Sequence, residues 1–220
     1  MNDEEIKARL MRLPTAVLSD ASGTFRVMSH EIKPIVEEVK MVGKAHTINL
    51  PPGDLLSLQK GLVDVSSGEV FVLSCGGYPG VAIIGELIAM ECKNKGVSGF
   101  VLDGGVRDYA GLREIGLPVF AMGITPRVGA LDSIGEFGVD CTCGGVNVSP
   151  GDWVIGDDDG VVVLRNDNTL GDVIETAEKI HEREREIFEL IKGGSTLAEV
   201  FDMKALIEEK IKEKKPTMIK

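Results

Sequence analysis

Histidine is scarce in this chain of 220 residues, which holds only His30, His46 and His181. Any metal centre must therefore lean on carboxylates. Basic residues are also in deficit: 24 Lys and Arg face 35 Asp and Glu, a formal net charge of −11. That balance opposes unspecific nucleic-acid binding, which is driven by phosphate neutralisation, and leaves only a local patch for such a role. The four cysteines are Cys75, Cys92, Cys141 and Cys143. No export signal precedes them, so a disulfide framework is not expected. Cys141-Thr142-Cys143 lacks a second pair at zinc-finger spacing, which makes buried thiols the expectation. No apolar run reaches the roughly 18 to 20 residues of a membrane span. The start, Met1-Asn2-Asp3-Glu4-Glu5, is acidic and unlike a secretory signal, so a cytoplasmic location is expected.

What is present is a globular composition, 43% hydrophobic and 27% charged, with 27 glycines. Glycine at that level, above the usual ~7%, means that the backbone turns often or approaches something closely. Residues 3–13 read as an amphipathic helix capped by Asn2, Pro14 breaks it, and 15–21 form a second short helix. An extended stretch over 41–50 precedes a helix near 54–63 and a strand at 70–73. A glycine-rich loop then spans Cys75 to Gly80, followed by a helix from Gly85 to Lys95. The strand 99–102, the turn Asp103-Gly104-Gly105, a helix near 106–115 and a strand at 118–122 complete a strand–helix alternation typical of parallel pairing. Short strands at 146–148, 153–155 and 161–164 follow, joined by turns. A long charged helix runs over 170–191. Another starts at Thr196, with Glu199 as its capping-box partner, and continues to Pro216. This divides the chain into one α/β domain over 1–168 and a helical extension over 169–220, lying on its own subunit or a neighbour.

Two junctions attract attention because each follows a strand of the parallel segment and should open on the carboxyl-end edge of the sheet. They are Ile84-Gly85-Glu86-Leu87-Ile88 and Asp103-Gly104-Gly105-Val106-Arg107-Asp108. Gly85 permits close backbone approach, the Leu87 and Ile88 amides can receive a carboxylate, and Arg107 and Asp108 offer a cation beside an anion. Gly76, Gly77, Gly104 and Gly105 read as further backbone approaching the same anionic ligand. Blander readings stand beside these. An Arg-Asp pair at a helix start is commonly a cap with a solvated charge, and Glu86 in a first turn commonly complements the helix dipole. Asp157-Asp158-Asp159-Gly160 lacks the spaced ligands of a calcium loop and reads as a hairpin turn. Gly76 to Gly80 matches neither a dinucleotide fingerprint nor a P-loop, and there is no nucleophile elbow. His46 alternates with apolar residues and reads as packed.

Glu86, twenty intervening residues and then Arg107-Asp108 resemble the acidic-x20-Arg-Asp signature of the class II 4-hydroxy-4-methyl-2-oxoglutarate aldolases and RraA-like proteins. The resemblance extends over roughly 13–195. It takes in Leu18-Ser19-Asp20-Ala21, Gly43 to Thr47, Gly96 to Asp108, Gly116 to Ala121, Gly144-Gly145-Val146, Pro150-Gly151-Asp152 and Asp157 to Val163. It implies a layered α/β sandwich of the swivelling, phosphohistidine-like type with mixed sheets, assembled as trimers or hexamers with sites between subunits. It also implies that Asp108 ligates Mg²⁺ or Mn²⁺, that Arg107 meets the keto oxygen of a 2-oxo acid, and that the Leu87 and Ile88 amides beside Gly85 hold its carboxylate. Glu86, where the family often has Asp, would act through a water on the metal. Glu184 or Glu186 of a neighbouring subunit would complete the site. The activity so implied is metal-dependent aldol cleavage, or decarboxylation of oxaloacetate, through a pyruvate enolate. The alternative is a non-catalytic RraA-like regulator of an RNA-degrading enzyme. No lysine sits in an evidently apolar context, which disfavours a Schiff base. Nor does any glycine loop suggest methyl transfer from a nucleotide cofactor.

Overall fold

A computed structural model describes residues 1–23 and 26–213. Among these, contacts divide the chain into two units, 1–177 and 178–220. The first unit opens with α1 (Asp3–Leu10), whose Asn2 cap accepts the Glu5 N–H at 2.9 Å, and α2 (Thr15–Ser22). Next come β1 (Lys33–Pro34), β2 (Met41–Asn49), α3 (Leu56–Asp64), β3 (Val70–Ile84) and α4 (Glu86–Asn94). They are followed by β4 (Gly99–Val106), α5 (Tyr109–Ile115), β5 (Val119–Ile124), β6 (Glu136–Phe137), β7 (Cys141–Cys143) and β8 (Val146–Val148). The hairpin β9 (Trp153–Asp157) and β10 (Gly160–Leu164) leads into α6 (Leu170–Lys192). The order across the main sheet is β1-β5-β4-β3-β2-β9-β10, with β6 also on β2, while β7 and β8 form a separate pair. The four central strands β5, β4, β3 and β2 run parallel, and β1, β6 and β9 join antiparallel. This is a mixed α/β fold.

Both faces of the parallel segment are covered, which is why Val70-Phe71-Val72-Leu73 is continuously apolar rather than alternating. Phe71 and Leu73 join Phe100, Leu102 and Leu58 under the helices, whereas Val70 and Val72 join Val101, Phe120, Cys143 and Val154 on the opposite face. Phe71 stacks on Phe100 at 5.1 Å and packs edge-on against His46. All four cysteines are buried and unbridged. Burial pushes the Cys92 and Cys141 thiols up to about 12.

Three sequence expectations need correction. Cys75 to Gly80 is not a loop leading to a helix. β3 runs through it for 15 residues, with register shifts between Leu73, Tyr78, Ala82 and Ile84. Asp103-Gly104-Gly105 is likewise strand, so α5 begins at Tyr109 instead of Val106. The physical reason is shared. A Cβ on Gly105 would strike the Pro79 and Val81 carbonyl oxygens, so these glycines serve the crossing of two irregular strands. The third correction concerns the second helix of the extension. It breaks into α7 (Leu197–Val200) and α8 (Met203–Glu213) at Asp202, whose φ is 49°. The Thr196/Glu199 capping box is present, and the stretch expected to reach Pro216 passes beyond the described residues. Among the described residues no helix is long and apolar enough to cross a membrane.

Candidate functional site

β3 and β4 end side by side, Ile84 opposite Val106, and each hands over to a helix. The first handover is Gly85, the buried N-cap of α4. A Cβ there would collide with the Asp108 carboxylate and stand 3.0 Å from Arg107 Cγ. Only glycine lets the second handover lie across the first. The Arg107 N–H donates to the Ile84 carbonyl at 3.0 Å and fixes that crossing.

Asp108 occupies the N-cap position of α5 with φ 56° and ψ 45°, in the left-handed region that a non-glycine residue rarely enters. Its side chain does not cap its own helix. Instead Oδ2 accepts the Glu86 N–H at 3.3 Å, so the carboxylate faces the positive end of α4, and Arg107 Nε lies 3.5 Å from the same oxygen. Among the described residues, Asp108 Oδ1 takes no hydrogen bond, and neither do the amides of Leu87 and Ile88 in the first turn of α4. The Arg107 and Asp108 side chains are 41% and 37% exposed, open to a small ligand. The structure thus brings Gly85, Glu86, Leu87, Ile88, Arg107 and Asp108 to one junction, with a cation, a carboxylate with a free oxygen, and two unspent amides.

The glycines assigned to an anionic ligand divide differently. A Cβ on Gly104 would strike the Cys75 sulfur, so this glycine, like Gly105, accommodates protein. Gly76 and Gly77 take positive φ. Asp103 has a role that went unassigned in the sequence. Its buried carboxylate accepts the Cys75 N–H and, at 3.2 Å, the Gly77 N–H, replacing ladder bonds where β3 leaves register. Burial raises its carboxyl above the usual range while those amides oppose the rise. The available signal was an acid inside the apolar run Val101-Leu102-Asp103. Gly111 was also missed. It lies in α5 beneath the Glu86 side chain, and a glycine inside a helix was the clue. Glu86, Leu87, Met90, Lys93, Gly111, Glu114 and Ile115 line a groove of about 400 Å³ between α4 and α5. Lys93 closes the far end of that helix pair by donating to the Ile115 carbonyl. Glu184 and Glu186 lie exposed on α6 in the second unit, Glu186 paired with Arg183 at 3.0 Å.

The family model described as RraA-like, Aldolase/RraA, matches residues 15–163. A Halalkalibacterium halodurans protein provisionally named a 4-hydroxy-4-methyl-2-oxoglutarate aldolase is 36% identical over 152 residues, 69% of this chain and 72% of its own. Among solved structures, an uncharacterised protein from Pseudomonas syringae pv. tomato superposes with a TM-score of 0.83 at 26% identity, over 92% of this chain and 95% of its own. An RNA-processing inhibitor, RraA from Thermus thermophilis, superposes with a TM-score of 0.63 at 29% identity, over 69% of this chain and 92% of its own.

Proposed function

This chain belongs to the RraA-like family, and from that premise we propose that it is a divalent-metal-dependent lyase of 2-oxo acids. Its reaction is cleavage of a 4-hydroxy-2-oxo acid or decarboxylation of oxaloacetate, both through a pyruvate enolate. The observation that carries this reading is Asp108. A left-handed residue at a helix start, its carboxylate turned onto the neighbouring helix and beside Arg107, is a strained arrangement of the kind concentrated at active sites.

The donor set fits a hard cation: one carboxylate with a free oxygen, room for waters, and a chelating 2-oxo acid to supply the rest. It does not resemble a closed zinc site, and among the described residues no three His, Cys, Asp or Glu side chains cluster to make one. Mg²⁺ or Mn²⁺ on Asp108 would supply Lewis-acid polarisation of the keto group. The amides of Leu87 and Ile88 hold the substrate carboxylate at the positive end of α4. Arg107 faces the keto oxygen and takes up its negative charge as the carbon–carbon bond breaks toward the enolate, a role worth roughly 10²–10³ in rate for one such donor. Glu86 orients a water that relays protons at the same junction. In this reading the fold is of the swivelling type, the chain assembles as a trimer or hexamer in the cytoplasm, and Glu184 or Glu186 of a neighbouring subunit faces the site.

The test is a panel of 2-oxo and 4-hydroxy-2-oxo acids, followed by pyruvate release. Turnover should stop with EDTA and return with Mg²⁺ or Mn²⁺. A second reading, a regulator of an RNA-degrading enzyme, draws on the likeness to the Thermus inhibitor. Recovery of a ribonuclease in a pull-down, together with no turnover on any acid of the panel, would favour it.

A further inference from the structure

We infer that Gly111 is a positioning residue whose missing side chain seats the Glu86 carboxylate against α5, an inference that rests on the reading of Glu86 as part of the site. Gly111 lies inside α5 with ordinary helical backbone, so no left-handed conformation calls for glycine there. Glycine disfavours a helix relative to alanine, and some other need must hold it in place. Space is that need. A Cβ on Gly111 would run into Glu86 Oε2 and stand 3.0 Å from Glu86 Cβ and 3.2 Å from Cδ. Glu86 therefore lies along the surface of α5 for its whole length.

The consequence is directional. The Glu86 backbone is tied to Asp108 through its N–H, 3.3 Å from Oδ2, and α4 is tied to α5 at the other end by Lys93 on the Ile115 carbonyl. With both ends held, the helices yield only the few tenths of an ångström that the 3.0 Å contact with Glu86 Cβ requires, too little to clear the carboxylate. The carboxylate rotates off its seat instead, since its outer atoms are free to move while the backbone is not. Gly111→Ala thus moves the acid and spares the fold. Shortening the acid by one methylene in Glu86→Asp draws the carboxylate back from position 111, so the two substitutions compensate.

The experiment combines kinetics with melting on the full-length protein. With Mg²⁺ and oxaloacetate, Gly111→Ala should lower kcat about tenfold with little change in KM, in the ordinary range for a general acid–base contribution. Gly111→Ala/Glu86→Asp should recover the rate of Glu86→Asp alone. A Gly111→Ala rate equal to that of the unmodified chain, or a double variant slower than Glu86→Asp alone, overturns the inference. Melting reads the seat without any turnover. In a Glu86→Ala background the carboxylate is gone and only the Cβ contact at 3.0 Å remains, and Gly111→Ala should raise the melting temperature by roughly 2–4 °C through helix propensity. In the Glu86 chain that rise should be absent. Equal rises in both backgrounds overturn the seat, whatever the kinetics show. If the unmodified chain releases no pyruvate with metal, the functional reading fails and the melting comparison alone decides the seat.

Discussion

Asp108 holds a backbone conformation that costs a non-glycine residue roughly 1–2 kcal/mol, and its compensation is the set of contacts made across to α4. Arg107 beside it is half-exposed, so its replacement should leave the fold intact and affect chemistry alone. Arg107→Ala should lower kcat/KM for the best 2-oxo acid by about 10²-fold, at an unchanged melting temperature. Asp54 is a structural counterpart. It accepts the Leu56, Asp132 and Ser133 N–H groups at 2.8 Å each, and those amides, Leu56 foremost, hold its carboxyl below the usual carboxylate range. A lowered folded value stabilises the protein above the unfolded value, near 3.9, and the benefit is lost as pH falls through the folded value. Melting temperature followed from pH 6 to 2 should therefore decline more steeply in the unmodified chain than in Asp54→Asn, which starts lower. At this scale the meeting of Glu86, Arg107 and Asp108 at one junction was legible in the sequence, from the strand-to-helix handovers and from the resemblance to a family's acidic-x20-Arg-Asp signature. Asp103 and Gly111 were not, since their roles depend on what another element places against them.

β3 shows what a linear reading conveys and where it stops. Val70 to Leu73 announces a strand buried on both faces, and the structure seats Phe71 between His46 and Phe100. Phe71→Ala should cost about 3–5 kcal/mol, read as a fall in the denaturant midpoint at constant slope. Beyond Leu73 the same strand continues through Gly76, Gly77, Pro79 and Gly80, residues whose local preference is for turns. They stay within the strand, Gly76 and Gly77 at positive φ, because Asp103 takes the Cys75 and Gly77 amides and Gly105 lets the neighbouring backbone through. Those partners lie some 25 to 30 positions away, so no local window reports them. The same non-local pairing moves the start of α5 to Tyr109 and leaves Arg107 and Asp108 in the connection where both side chains are free to act.

Among the described residues, Ala177 is the last buried apolar side chain. From Glu178 onward Phe188, Leu197, Phe201, Leu206, Ile207 and Ile211 are all exposed, and α7 buries nothing. A chain stopped after Ala177 should therefore unfold cooperatively at close to the native midpoint in calorimetry. The buried thiols provide a second global readout. With Cys75 and Cys143 held protonated by burial, none of the four cysteines should react with iodoacetamide at pH 7.5 until denaturant is added, and all four should react afterwards. Charge acquires a sharper meaning too: within a net −11, Asp108 is the acid set beside Arg107, and Glu86 joins the same junction through its N–H on Asp108. The most direct test of the central claim is pyruvate release from oxaloacetate, with an enzyme-free Mg²⁺ blank subtracted, in the unmodified chain and in Asp108→Asn. Metal-dependent turnover that Asp108→Asn lowers by 10²-fold or more, at an unchanged melting temperature, is the predicted result. Full metal-dependent turnover in Asp108→Asn would contradict it.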